Sequence, residues 1–120
     1  MSTLSIRNPA TGELITTLPA DDADSVRRKL LAAGAAQPVW AARPLAERKA
    51  CIEGFRAGVV RDLEHLAAVM TRETGKPIKM SRNELNGLLP RIDFFLAETA
   101  EAIAPEPVFE EGGMRERIEH

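Results

Sequence analysis

The sequence predicts a mainly α-helical chain with a short N-terminal β-hairpin. Three observations carry that reading. Near the N-terminus two short extended runs, Leu4-Ser5-Ile6-Arg7 and Leu14-Ile15-Thr16-Thr17-Leu18, flank a turn-rich segment. From Val26 to Ile103 apolar residues recur every three or four positions, the spacing of one helix face. Pro38, Pro44, Gly75 and Pro77 punctuate that stretch, so it divides into several helices. The 120 residues suit one domain, and 44% apolar with 28% charged residues is a globular balance.

Residues 1–20 are expected to form the hairpin. Asn8-Pro9-Ala10-Thr11-Gly12-Glu13 supplies its loop: Pro fixes one φ, Gly permits a positive one, and Asn and Thr can bond nearby backbone. A two-stranded ribbon is marginal alone in water and needs something to pack on.

Residues 21–104 are expected to be helical. Asp21 and Asp22 can cap the first helix, their carboxylates meeting free N–H groups and the positive end of the dipole. Val26, Leu30 and Ala33 mark its apolar face, and Pro38 is expected to stop it near Gln37. Trp40 is expected to pack the turn that follows. Pro44 suits the first turn of a second helix, whose stripe is Cys51 or Ile52, Phe55 and Val59. Gly54 and Gly58 each weaken it by up to about 1 kcal/mol relative to Ala, so a break near Arg61-Asp62 is expected. Leu63, Leu66, Ala67 and Met70 carry the third helix, which Gly75 and Pro77 terminate. The last helix starts near Ile78 to Ser81 and runs to about Ile103, with Leu85, Leu88 or Leu89, Ile92, Phe95 or Leu96, Thr99 and Ile103 on one face. It would span about 39 Å, the full width of a compact body whose radius of gyration would be about 14 Å. Pro90 should kink it or split it in two. Residues 105–120 are expected to be a solvated acidic tail, with Met114 to His120 alternating like the start of a strand that lacks every partner.

Composition narrows the function. Net charge is −2, and residues 1–60 hold eight bases and six acids against eight and twelve in residues 61–120, so no basic field exists to hold nucleic acid. One cysteine excludes an intrachain disulfide framework and a multi-Cys zinc site. The first thirty residues lack a secretory pattern and no apolar run approaches the roughly 20 residues of a membrane span. A reduced, cytoplasmic setting is expected.

No catalytic, cofactor-binding or metal-binding residue is expected in this chain. Cys51 is the sole thiol, but two turns into a helix it reads as a small core hydrophobe. His65 reads as a partly exposed helix histidine, and His120 ends the chain without a context that places it. Gly112-Gly113 follows no strand and opens no helix, so it is not a dinucleotide fingerprint. Glu110-Glu111 has nothing apolar nearby to separate the two pKa values.

Asn8-Pro9-Ala10-Thr11-Gly12-Glu13, Trp40-Ala41, Pro44-Leu45-Ala46-Glu47-Arg48, Glu73-Thr74-Gly75-Lys76-Pro77, Glu84 and Ile92-Asp93-Phe94-Phe95 follow one another at spacings that resemble the N-terminal part of the NAD(P)-dependent aldehyde dehydrogenases. The resemblance implies the helical N-terminal part of that family's α/β cofactor-binding domain, without its Rossmann-like sheet, truncated from a chain about four times longer. It implies a parent enzyme that oxidises an aldehyde to a carboxylate with NAD or NADP, works as a homo-oligomer, and keeps its cysteine nucleophile, glutamate base and cofactor strands beyond this segment. Cys51 does not match the nucleophile, and Glu73 and Lys76 match a helix-closing pattern that is not catalytic. The implied partner is the rest of the enzyme chain, and the segment alone is expected to be inactive. The competing expectation is a non-catalytic helical module that pairs with itself or with a full-length enzyme, since helix stripes without a sheet would be exposed.

Overall fold

A computed structural model describes residues 2–119, so His120 lies outside the described residues. The elements in order are β1 (Thr3–Arg7), β2 (Leu14–Pro19), α1 (Ala23–Ala41), α2 (Leu45–Arg61), α3 (Leu63–Thr74), α4 (Ile78–Ala102), β3 (Glu106–Glu111) and β4 (Met114–Ile118). The mainly helical architecture with an N-terminal hairpin is as expected.

β1 and β2 pair antiparallel, with Leu4 opposite Leu18 and Ile6 opposite Thr16. The loop closes through its own polar groups. Asn8 Oδ1 accepts from the Ala10 N–H, the Asn8 N–H donates to the Glu13 carbonyl, and Gly12 turns the chain at φ +76°.

Asp22 caps α1 by accepting from the Ser25 N–H at 2.8 Å, while Ser25 Oγ accepts from the Asp22 N–H at 2.9 Å. This reciprocal box satisfies two groups that the helix start leaves free. Pro38 does not stop the helix, which continues to Ala41 with Pro38 inside it. The carbonyl deprived of its bond belongs to Gly34, on a stretch exposed on every side, where water can take the missing donor's place. Pro44 stands at the N-cap of α2, one residue outside the first turn, and its carbonyl accepts from Glu47 and Arg48.

The break at Asp62 separates α2 from α3, and Gly75 ends α3 in the left-handed region at φ +73°. α4 is one unbroken helix of 25 residues with Pro90 inside it, so the expected split does not occur. Pro90 is exposed, so the Asn86 carbonyl one turn earlier faces solvent and can be hydrated.

α3 and α2 both pack on α4. The buried residues are Val59, Ala67, Leu85 and Ile92, with Ser81 fully buried and its hydroxyl 2.8 Å from Thr71 Oγ1. Ala67 and Ser81 are the small residues that let α3 and α4 approach. Cys51 is a correction: it is exposed, not a core residue. Ile52 and Phe55 are exposed as well, and of the proposed α2 stripe only Val59 is buried. The side of α2 turned to α4 carries Arg56 and Val59, which leaves Cys51 and Phe55 outside the contact. α1 has no buried residue at all.

Two consequences follow for shape. The radius of gyration is 21.3 Å and the extents are 72 × 39 × 20 Å, so the chain is elongated and not the compact body of about 14 Å. At the far end, the strand starting at Met114 does have a partner. β3 and β4 form a second antiparallel ribbon with Glu111 opposite Met114. Gly112 and Gly113 make its two-residue turn at φ +57° and +87°, both positive as a type I′ turn requires. Glu110 is paired with Arg115 at 2.8 Å, and Arg117 with Glu119. The acidic stretch is therefore a charge-paired hairpin, every residue of it exposed.

Candidate functional site

Two loops that lie far apart in sequence meet at the C-terminal end of α3. A Cβ on Gly75 would stand 2.9 Å from Pro9 Cγ and 3.3 Å from the Ala10 nitrogen. The tip of the hairpin loop thus meets the turn after α3, while Leu4, Leu14 and Leu18 on the strands stay exposed. Next to this turn Lys76 Nζ donates to Glu84 at 2.6 Å, closing the α3–α4 connection.

Two forked ion pairs fix the helices on α4. Arg56 on α2 donates from Nε and Nη2 to the two oxygens of Asp93, at 2.5 and 2.9 Å. Arg82 on α4 reaches back to Glu64 on α3 at 2.8–3.1 Å. The hydrogen bonds from Arg56 hold the Asp93 carboxyl below its ordinary value of 3.8, and those from Arg82 hold Glu64 below 4.5. A forked guanidinium fixes orientation as well as distance, and at these exposed positions the pairs bridge the helices while adding little stability.

Between the end of α1, the start of α2 and α4 runs a groove of about 210 Å³, floored by Leu45, Ile52, Phe95 and Leu96 and edged by Trp40 and Arg48. Trp40 edges this groove from the last turn of α1 but is exposed and does not pack the turn as expected, with the Arg43 guanidinium 6.0 Å above its ring. The other singled-out residues do not converge. Cys51 is a free, exposed thiol on α2, His65 is exposed on α3, and Glu110 and Glu111 lie on the distal ribbon. Among the described residues no group of three or more His, Cys, Asp and Glu could hold a metal ion, and no helix is long and apolar enough to cross a membrane.

The family model described as "Aldehyde dehydrogenase family" matches residues 1–117. This chain belongs to the aldehyde dehydrogenase family. It is 32% identical over 117 residues to the 3,6-anhydro-alpha-L-galactose dehydrogenase of Streptomyces coelicolor, a match covering 95% of this chain and 24% of that protein. It is 36% identical over 96 residues to the glutarate-semialdehyde dehydrogenase of Pseudomonas putida, covering 80% and 20%. Among solved structures it is similar to aldehyde dehydrogenase 21 from Physcomitrella patens in complex with succinate, at TM-score 0.82 and 29% identity over 90% of this chain and 22% of that one. PnpE in complex with nicotinamide adenine dinucleotide superposes at TM-score 0.86 with 26% identity, over 98% and 24%. The chain thus spans about a quarter of the length of the relatives it matches.

The described residues do not fit a nicotinamide dinucleotide. A dinucleotide cradle needs a strand that leads through a glycine-rich turn into a helix whose free N–H groups face the pyrophosphate. The strand that leads into a helix here is β2, and the helix it leads into opens on Asp21, Asp22 and Asp24. The Asp22 cap already occupies the Ser25 N–H, and three carboxylates repel a diphosphate. Gly112-Gly113 is used up as a hairpin turn between two strands.

Most of these residues stand in local motifs of the sequence, but their contacts do not. Pro9 and Gly75 each mark a turn, and nothing in the sequence pattern shows that they touch. Arg56 was not singled out. Asp93 stands within the run Ile92-Asp93-Phe94-Phe95 but is exposed, so the run by itself carries no signal of its Arg56 partner.

Proposed function

We propose that this chain is the helical N-terminal part, residues 1–120, of the cofactor-binding domain of an NAD(P)-dependent aldehyde dehydrogenase, and that its partner is the rest of that enzyme. The parent reaction is oxidation of an aldehyde to a carboxylate, with NAD or NADP as acceptor, in a soluble cytoplasmic homo-oligomer that engages neither membrane nor nucleic acid. The segment itself contributes no catalytic, cofactor-binding or metal-binding residue. The observation that carries this reading is the family match across residues 1–117 on a segment about a quarter of its relatives' length. The triple carboxylate at the start of α1 supports the cofactor part of it. The test is to incubate the purified 120-residue chain with a panel of aldehydes and NAD or NADP. No reduced nicotinamide is expected; sustained turnover from material free of any full-length enzyme overturns the proposal.

A second reading has its own observation. α1 buries nothing, and Leu30, Leu31, Val39, Phe94 and Phe95 are all exposed. Such surface seeks a partner, which favours a self-associating helical module. Sedimentation separates the two: a monodisperse dimer supports the module, whereas heterogeneous association supports a segment of a larger enzyme.

A further inference from the structure

We propose that the groove between α1, α2 and α4 receives a segment of the rest of the enzyme that places an acidic side chain on Arg48, with apolar residues on either side of it. The inference rests on the reading of the chain as part of an aldehyde dehydrogenase, and it names the contact that joins the two parts.

Arg48 is the anomaly that points there. Its Nε is withdrawn from solvent and has no hydrogen-bond partner. A buried guanidinium N–H without an acceptor loses its hydration and gains nothing in return. The other arginines at the helix contacts are treated differently: Arg56, Arg61 and Arg82 are each held by both oxygens of a carboxylate. Arg48 alone among these has none, although its stem lies along the groove wall and its position in the first turn of α2 is fixed by the bond from its N–H to the Pro44 carbonyl.

The surroundings give the occupant's chemistry. Two cations, Arg48 and Lys49, line the groove, and a carboxylate, Glu53, stands only in the adjoining hollow beside Lys49. Arg43, stacked over Trp40, adds a third positive group at its edge. The complement is an anion, and a guanidinium fork matches a carboxylate. The floor of Leu45, Ile52 and Leu96 requires apolar groups around that anion.

The dimensions favour a polypeptide over a small molecule. The hollow beside Arg48 holds about 210 Å³. It does not end there. Leu45 and Lys49 also line a second hollow reaching Ala100, and Phe95 also lines a third with Pro90, Arg91 and Phe94. The three hollows succeed one another along α4 from Gly87 to Ala100, a length that a peptide segment covers and a compact ligand does not.

The test uses the full 120-residue chain and, as probe, the polypeptide covering the part of the Streptomyces coelicolor relative that this chain does not match. Affinity is measured by titration calorimetry for the wild type, Arg48→Met, Arg48→Glu and, as a control in the first turn of α4, Lys79→Ala. Circular dichroism confirms equal helix content, and Arg48→Lys, which keeps the charge, reads the same contact should Arg48→Met lose helix. Removing one member of a buried charge pair is expected to weaken binding about 30-fold or more. Arg48→Glu is expected to abolish binding, Arg48→Lys to give a smaller loss, and Lys79→Ala to leave it unchanged. If the wild type binds and the Arg48 variants bind equally well, the groove proposal is wrong and the family role stands. If the wild type does not bind, the reading of the chain as this part of the enzyme falls, and the groove proposal with it.

Discussion

Replacing Gly75 with Ala tests whether the N-terminal hairpin is docked through its loop. Two costs add. At φ +73° an L-residue with a Cβ stands in the left-handed region, at roughly 1–2 kcal/mol. The new Cβ would also lie 2.9 Å from Pro9 Cγ, well inside ordinary carbon–carbon contact at about 3.5–4.0 Å, so the loop must shift. Against this, Ala restricts the unfolded chain and returns about 0.4–1 kcal/mol. The net expectation is a loss of about 1–3 kcal/mol, read by urea unfolding followed by far-ultraviolet circular dichroism. The two costs separate in a double-mutant cycle. Pro9→Ala removes the atom that clashes and leaves the φ cost, so Gly75→Ala should be less harmful in that background. Asn at position 75 tolerates the left-handed conformation but keeps the Cβ, so it should lose less than Ala in the wild-type background. Equal stability of Gly75→Ala and wild type, or strict additivity with Pro9→Ala, would refute the docked loop.

Three further outcomes are expected. Leu85→Ala or Ile92→Ala, each emptying one of the few buried sites, should cost about 2–5 kcal/mol; a loss within the error of the unfolding experiment would show that α4 has no such core. Asp93 and Glu64 are held below their ordinary values, so on acidification the unfolded chain takes up protons first. Their contribution to stability is therefore complete above the ordinary carboxylate range and is lost as the pH falls through the lowered folded values; Arg56→Met should flatten that acid slope, and an unchanged slope argues against the pair. Cys51 should react with a disulfide-exchange reagent in the native chain as fast as in denaturant, at one thiol per chain; protection until unfolding would restore the core reading.

Local signals made most of the secondary structure legible. The Asp21-Asp22 cap, the break at Asp62, the Gly75 stop and the loop at Asn8 to Glu13 each depend on a few neighbouring residues, and each stands where the sequence places it. Pro38 and Pro90 show the limit of that logic. A proline stops a helix only where the freed carbonyl finds no other donor, and both lie on exposed faces where water donates instead. The second ribbon is half visible in the sequence: the alternation from Met114 marks one strand, while the turn at Gly112-Gly113 shows itself only in the two positive φ angles. Burial was the least legible property. Periodicity shows that Cys51, Phe55 and Leu30 share apolar faces, yet only the packing of α2 and α3 on α4 decides which face is covered. The seating of Pro9 on Gly75 and the unpartnered Nε of Arg48 are tertiary facts with no sequence signature of their own.

The central claim is that this chain is an inert but specific part of an aldehyde dehydrogenase. Its most direct measurement is aldehyde-dependent NAD reduction by three preparations: the 120-residue chain, the unmatched remainder of the Streptomyces coelicolor relative, and the two co-expressed. The account predicts no turnover from either part and turnover from the pair. Turnover by the 120-residue chain alone, or a pair that remains as inactive as its parts, would contradict it.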